Sequence, residues 1–381
     1  MKLGSVDLEI TLRCNLKCPY CYLHLDGTKI RDMSDRTMQA CIELLKKYPK
    51  NGDYPQRITF YGGEPLLKFD LMKRFVSMAD EAKLNLRYTV MSNGTIVTPE
   101  IVEFSKKRKM YIQRSIDGCP KVMEKLRPGA LSLYEKGTEL IKDTNKGTRR
   151  MTITPDTAKD LFEGILYLWE SGFRRGFSPQ PNYEVDWEES QKQDLINNMR
   201  KMADFYVKQF KDGNPFYWYQ VSREAACRFS NYVTQTGCGA GKQLYSLSVD
   251  GYIFLCHRFT GEDINGQFCY GHIEDVLEGK EIKGFGNDVI SAIKRGRKWN
   301  EECHSCIAQY GCEKGCLHSN YKGTGNLLKP PELYCRVKKE ASKIVTYIDY
   351  ELRNIDSEWW TKRNFRREAK AYLEKKKKLN Q

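Results

Sequence analysis

The sequence predicts an α/β protein built on a parallel sheet and followed by a smaller, cysteine-rich domain. Three observations predict it. Short β-like runs alternate with longer helical runs through about the first 215 residues. Strands alternating with helices imply βαβ units and a parallel sheet buried on both faces. After about Gly213 the segments shorten, and eight of the 14 cysteines fall between Cys238 and Cys335, with four of the five histidines (His257, His272, His304, His318). Finally, 381 residues correspond to two or three domains at roughly 150 residues each. A chain of that length buries on the order of 75% of its unfolded surface and needs no disulfides.

The elements follow in order. Val6–Thr11, Arg57–Tyr61, Leu86–Ser92, Tyr111–Ile116, Arg149–Thr154 and Phe173–Ser178 read as strands. Between them Ser34–Tyr48, Lys68–Lys83, Pro99–Lys109 and Thr157–Ser171 read as helices. In the first helix Met38, Cys41, Leu44 and Leu45 recur at helical spacing, so Cys41 belongs to the core, and Ser34 or Asp35 can cap the start. Six such units fit either an open doubly wound sheet or part of a (β/α) barrel, and periodicity does not separate the two. From about Lys338 the chain reads as a helical tail.

Composition narrows the class. Hydrophobic residues make up 40% and aromatics 12%, which argues against disorder. Mean hydropathy is −0.64 and no apolar run approaches the roughly 20 residues of a membrane span. Met1–Ile10 has acidic residues and no apolar core of a signal peptide, so a cytoplasmic protein is expected. Many cysteines in such a chain point to metal or redox chemistry before disulfides. Net charge is +14, of which residues 361–381 carry +7. That tail reads as a solvated helix or as a contact for an acidic partner or RNA.

Cys14, Cys18 and Cys21 have the spacing C-x3-C-x2-C directly after the first strand. Three thiolates on one short loop suit three irons of a [4Fe–4S] cubane and leave the fourth iron open to a substrate. Structural zinc wants four ligands. Here the sequence resembles the radical S-adenosylmethionine (SAM) enzymes, in which an aromatic, here Tyr20, precedes the third cysteine. The resemblance implies that the open iron chelates SAM and that reduction cleaves it to methionine and a 5′-deoxyadenosyl radical. It also implies a partial (β/α)6 barrel over about residues 1–215.

Further motifs stand at the ends of successive strands, where barrel active sites lie. Gly62-Gly63-Glu64-Pro65 resembles the segment that contacts the SAM amino group; glycines admit close backbone approach and a carboxylate suits an ammonium. Ser92-Asn93-Gly94 resembles the ribose-contacting segment. Ser115-Ile116-Asp117-Gly118 resembles the element whose serine lies near the SAM carboxylate, and Arg149 or Arg150 could pair with that carboxylate.

Cys238-x12-Gly251-x4-Cys256, Cys303-x2-Cys306-x5-Cys312-x3-Cys316 and Cys335 resemble the seven-cysteine SPASM pattern, a C-terminal adapter with two auxiliary [4Fe–4S] clusters. Read without the family, the pairs suggest zinc. The resemblance implies Cys303, Cys306, Cys312 and Cys335 for an outer cluster and Cys238, Cys256 and Cys316 for an inner one. Cys269 is the candidate fourth inner ligand; the alternatives are an open iron or a buried apolar role. Three clusters and SAM are therefore expected. Cys119 and Cys227 have no role, and surface thiols are one reading. The implied organisation is a barrel at 1–215, a linker at 216–237, a SPASM domain at 238–337 and a basic helical tail at 338–381.

SPASM relatives mostly oxidise or cross-link residues of peptides and proteins. Cys256-His257-Arg258-Phe259 resembles a stretch of ribosomal-peptide maturases. His257 stands where sulfatase maturases have an aspartate base, and a neutral imidazole can accept a proton or serve as a structural bond. His24 reads as structural. The first strand begins near Val6, leaving no room for an N-terminal leader-binding domain. Phe216-Tyr217-Trp218-Tyr219 and Trp187 line a substrate path or fill core. The expected partners are a peptide or protein substrate and a reductant such as flavodoxin or ferredoxin. Formylglycine formation, small-molecule dehydrogenation and RNA modification are the alternatives. No recognised RNA-binding motif accompanies the charge, so nucleic acid is not expected. The sequence leaves the oligomeric state open.

Overall fold

The computed structural model describes residues 3–23, 30–49, 55–141, 149–173, 176–229, 238–260, 266, 268–280 and 301–353. His24, residues 230–237 and the basic segment 361–381 lie outside them. In chain order the elements are β1 (Ser5–Thr11), α1 (Asp35–Lys47), β2 (Gln56–Gly62), α2 (Phe69–Glu81), β3 (Leu86–Ser92), α3 (Pro99–Lys107), β4 (Tyr111–Arg114), α4 (Pro120–Leu126) and α5 (Leu131–Ile141). Next come β5 (Arg149–Ile153), α6 (Leu161–Glu170), β6 (Gly176–Pro181), α7 (Glu189–Lys211), β7 (Tyr217–Trp218) and α8 (Tyr219–Phe229). The remainder is β8 (Leu244–Leu247), β9 (Tyr252–Phe254), β10 (Cys269–His272), α9 (Ile273–Glu278), α10 (Glu301–His304), α11 (Leu317–Thr324) and α12 (Glu332–Arg353).

The chain divides into two compact units, each assembled from separate stretches. The first holds residues 1–116, 120–147 and 238–296 and contains a seven-stranded sheet in the order β10-β9-β8-β1-β2-β3-β4. β8, β1, β2, β3 and β4 are mutually parallel, while β9 and β10 continue antiparallel. Parallel neighbours need a crossover, which α1, α2 and α3 supply between β1, β2, β3 and β4. Each crossover helix buries one face: α1 through Met38, Cys41, Ile42, Leu44 and Leu45, with Ser34 as its cap, its Oγ accepting the Thr37 N–H at 3.0 Å.

β1 departs from the rule that a doubly covered parallel strand is apolar throughout. Val6, Leu8 and Ile10 are buried on one face, but Asp7, Glu9 and Thr11, also buried, occupy the other. Two buried carboxylates on one strand destabilise unless they are partnered, and their partners form the site described below.

The second unit holds residues 117–119, 148–237 and 297–381, with the parallel sheet β5-β6-β7. Several expectations change here. β6 starts later than Phe173 and runs through Pro179 and Pro181. It tolerates them because β7 pairs only with Gly176 and Phe177, leaving that edge open beyond. Residues 216–229, expected as linker, form β7 and α8, because Phe216, Trp218, Val221, Ala225 and Ala226 are all buried. Residues 238–280 do not stand apart as part of a separate domain; β8 pairs with β1. Cys119 and Cys227 are buried apolar groups and not surface thiols. Phe216, Trp218 and Trp187 are core, as one of the two readings held.

Candidate active site

The cysteine loop leaves the carboxyl end of β1 and is fixed at both ends. Thr11 Oγ1 donates to Asp32 Oδ1 at 2.6 Å, and Asp32 also takes Arg13 Nε at 3.1 Å and Lys68 Nζ at 2.9 Å. The turn after β2 then docks against it. Gly63 N–H donates to the Thr11 carbonyl at 2.9 Å and Glu64 N–H to the Arg13 carbonyl at 2.7 Å. Gly62 has φ +131°, and a Cβ on it would collide with the Thr11 carbonyl oxygen; one on Gly63 would collide with Arg13 and touch the Cys14 Cβ. The glycine pair is thus the shape that lets the β2 turn close on the first cysteine.

Glu64 is fully buried and organises the end of β3. Oε1 accepts the Leu66 N–H at 3.1 Å and Ser92 Oγ at 2.9 Å; Oε2 accepts the Asn93 N–H at 2.6 Å. Asn93 Nδ2 in turn donates to Asn15 Oδ1 at 2.9 Å and reaches Cys14 Sγ at 4.0 Å. Burial pushes the Glu64 carboxyl up to about 7, against the pull of its three donors and of Arg127. Both oxygens are thus engaged in holding Leu66, Ser92 and Asn93.

Arg127, which the sequence reading did not single out, is buried just past α4. Its guanidinium lies 5.6 Å from the centroid of the Tyr20 ring. Burial raises the Cys14 thiol above its usual range, with Glu64 and Cys21 adding to the rise and Leu16 N–H and Arg127 opposing it. Cys14 therefore feels both the Cys21 thiol and a buried cation that lies over the Tyr20 ring. Soft thiols on one short loop, a nearby positive charge and a close glycine turn fit a cubane cluster on Cys14, Cys18 and Cys21.

The S-I-D-G segment is anchored on both sides. Ser115 N–H donates to the Ser92 carbonyl at 2.9 Å, and Asp117 Oδ1 accepts the Thr152 N–H of β5 at 2.8 Å. On β5, Arg149 is buried with its guanidinium 4.9 Å from the Phe173 ring centroid, whereas Arg150 is exposed.

The partners of the β1 carboxylates come from the stretch around β9. His257 Nδ1 and Asp7 Oδ2 are 2.7 Å apart. The imidazole stacks on Tyr61 at 3.9 Å and meets the edge of Tyr22 at 5.7 Å. Glu9 accepts Thr260 Oγ1 at 2.9 Å and the Val249 N–H at 3.2 Å. Burial pushes the Glu9 carboxyl up to about 7. His257, flagged by its place after Cys256, is thus joined by Asp7, for which the signal was an acidic residue at an inward position of a parallel strand.

Among the remaining cysteines of the first unit, Cys256 and Cys269 are buried and Cys238 is exposed. In the second unit Cys303, Cys306, Cys312, Cys316 and Cys335 are half-buried. Burial pushes the Cys335 thiol up to about 11, and the charges of Cys312, Cys303 and Cys306 add to it. These are the four thiols expected of the outer cluster, acting on one another. Among the described residues no group of three or more His, Cys, Asp or Glu is gathered to hold a metal ion. A cubane asks for a wider set, because each thiolate binds its own iron.

Residues 8–169 match the model of the Radical SAM superfamily. These residues carry a radical SAM domain, which implies a [4Fe–4S] cluster and SAM, and the enzyme-named relatives support an enzyme. A stretch of 142 residues, 37% of the chain, is 34% identical to an uncharacterized protein of Methanocaldococcus jannaschii and spans 46% of that protein's length. Over 332 residues the chain is 21% identical to a cysteine-type anaerobic sulfatase-maturating enzyme of Clostridium perfringens, covering 80% of this chain and 85% of that one. In fold it is similar to native anSMEcpe solved with bound AdoMet and Kp18Cys peptide, with a TM-score of 0.73 at 19% identity over 92% of this chain and 99% of that one. The α/β fold of the partial-barrel kind is thereby established. Among the described residues no helix is long and apolar enough to cross a membrane.

Proposed function

We propose that this enzyme oxidises a residue of a ribosomally made peptide or of a protein, cross-linking or dehydrogenating it. The observation that carries the reading is the cysteine loop at the carboxyl end of β1, bonded to the turn after β2 and, through Asn93, to the end of β3. Cys14, Cys18 and Cys21 would hold the cluster, which together with SAM would supply radical chemistry for hydrogen-atom abstraction from the substrate. The chain's own residues do the rest. Gly62, Gly63, Glu64 and Pro65 shape the backbone that would meet the SAM ammonium, and Ser92 and Asn93 are held for its ribose. Ser115 keeps the carboxylate contact that its motif implies. We assign Arg127 as a further cation for that carboxylate, because its charge acts on Cys14 and Glu64.

His257, oriented through Nδ1 by Asp7, would take the substrate proton. The seven SPASM cysteines, with Cys269 as a further ligand, would hold two auxiliary clusters, three in all, that would supply a sink for the remaining electron, and a flavodoxin or ferredoxin would supply the starting electron. The sulfatase-maturating relative supports the second reading, oxidation of a protein cysteine to formylglycine. With a peptide from a neighbouring gene, the expected product is lighter by about two hydrogens per turnover. Asp7→Asn and His257→Ala are expected to keep SAM cleavage and lose this product. Turnover of a free metabolite with no peptide modified would overturn the substrate class.

A further inference from the structure

Glu224, on α8, is fully buried, and neither of its carboxylate oxygens has a donor in bonding geometry among the described residues. Oε2 lies against Gly311, beside Cys312, where any Cβ would overlap it. Burial raises the Glu224 carboxyl above its usual range, and the Lys338 ammonium and the Arg228 guanidinium pull the other way. Lys338, on α12 and three residues past Cys335, is buried as well. Its Nζ donates to the Gly311 carbonyl at 3.4 Å and stands 5.9 Å from the Tyr334 ring centroid. One turn on, Ser342 Oγ donates to the Ile307 carbonyl at 2.9 Å. Two helices thus grip the loop of Cys303, Cys306 and Cys312 at Ile307 and Gly311.

Gly311 immediately precedes Cys312, so the Lys338 ammonium and the Glu224 carboxyl both lie against the cluster loop. A buried lysine and a buried glutamate are an inefficient way to stabilise a loop, since apolar side chains of similar size do as well or better. Their placement against a cluster loop points to an electrostatic role. Reduction adds negative charge to an iron–sulfur cluster, so a fixed cation beside its ligands raises the reduction potential and a fixed anion lowers it.

We propose that Lys338, with Glu224 as its buried counter-charge, sets the reduction potential of the cluster that Cys303, Cys306, Cys312 and Cys335 would hold. The inference rests on the outer-cluster reading, and the test separates the two. The full chain is reconstituted anaerobically, its iron counted, and the signal that Cys335→Ala removes is followed by paramagnetic resonance during a redox titration. The expected order of midpoint potentials is Lys338→Met lowest, wild type and Lys338→Arg together, and Glu224→Gln highest. Any other order overturns the role of the pair, and a packing role predicts no opposite-signed shifts. If Lys338→Met fails to fold, Glu224→Gln, which preserves shape, and Lys338→Arg decide by the same order. If Cys335→Ala loses no iron, the cluster reading itself falls.

Discussion

Replacing Glu64 with alanine removes the acceptor of three buried donors, at 3.1 Å from Leu66, 2.9 Å from Ser92 and 2.6 Å from Asn93. Each donor left without a partner costs roughly 1–3 kcal/mol. The losses are not additive, and relief of a buried charge offsets part of them, so a net loss of about 2–4 kcal/mol is expected. Glutamine keeps an oxygen for Leu66 and Ser92 but sets an amide N–H against the N–H of Asn93, so its cost is smaller, about 1–3 kcal/mol. The assay is denaturant unfolding of the metal-free chain at pH 7 for wild type, Glu64→Gln and Glu64→Ala. SAM affinity of the reconstituted protein, expected to fall at least tenfold in the alanine variant, follows from the same geometry, because Asn93 tethers Asn15 and reaches Cys14. A Glu64→Ala chain with the wild-type unfolding midpoint and wild-type SAM affinity would refute the argument.

Glu9 makes stability depend on pH. Its carboxyl is raised from 4.5 to about 7, so between these values the folded chain holds a proton that the unfolded chain has released. Its contribution is complete below pH 4.5 and is lost as pH rises through 7, by at most about 3 kcal/mol. Unfolding midpoints of the metal-free chain at pH 5 and pH 8 should show less of this fall in Glu9→Gln. Cys41 is a buried thiol pushed up to about 12. Cys41→Ala is expected to keep every iron while losing about 1–2 kcal/mol, and Cys41 should resist alkylation in the folded chain. Iron loss in that variant would make it a ligand.

The parts of this molecule that were legible in the sequence are those whose chemistry restricts residue type. Thiols at fixed spacing, a glycine pair that must pass under a cysteine, and amphipathic helices such as α1 announce themselves locally. The pairing of His257 with Asp7 is 250 residues long-range and gives no local sign beyond the alternation of β1. Arg127 and Lys338 look like any solvated cation until their burial is known. β6 lies further along the chain than the run from Phe173 suggests, and the shortness of β7 explains how Pro179 and Pro181 are accepted within it. Cys119 and Cys227 illustrate that a single cysteine carries no pattern from which burial can be read.

The parallel pairing of β1 with β8 has a consequence for how the chain is made. Ser5 lies opposite Leu244, so once made β1 waits for its second neighbour until synthesis has passed Leu244. At about 5–20 residues per second that interval is roughly 10–50 s. Throughout it, β1 has an open edge, the feature by which nascent chains pair with one another. Asp7 and Glu9 make that waiting strand a poor template for an apolar intruder. The same two carboxylates that later receive His257 and Thr260 would therefore guard the chain while it is incomplete. A chain cut short of β8 would leave that edge open permanently.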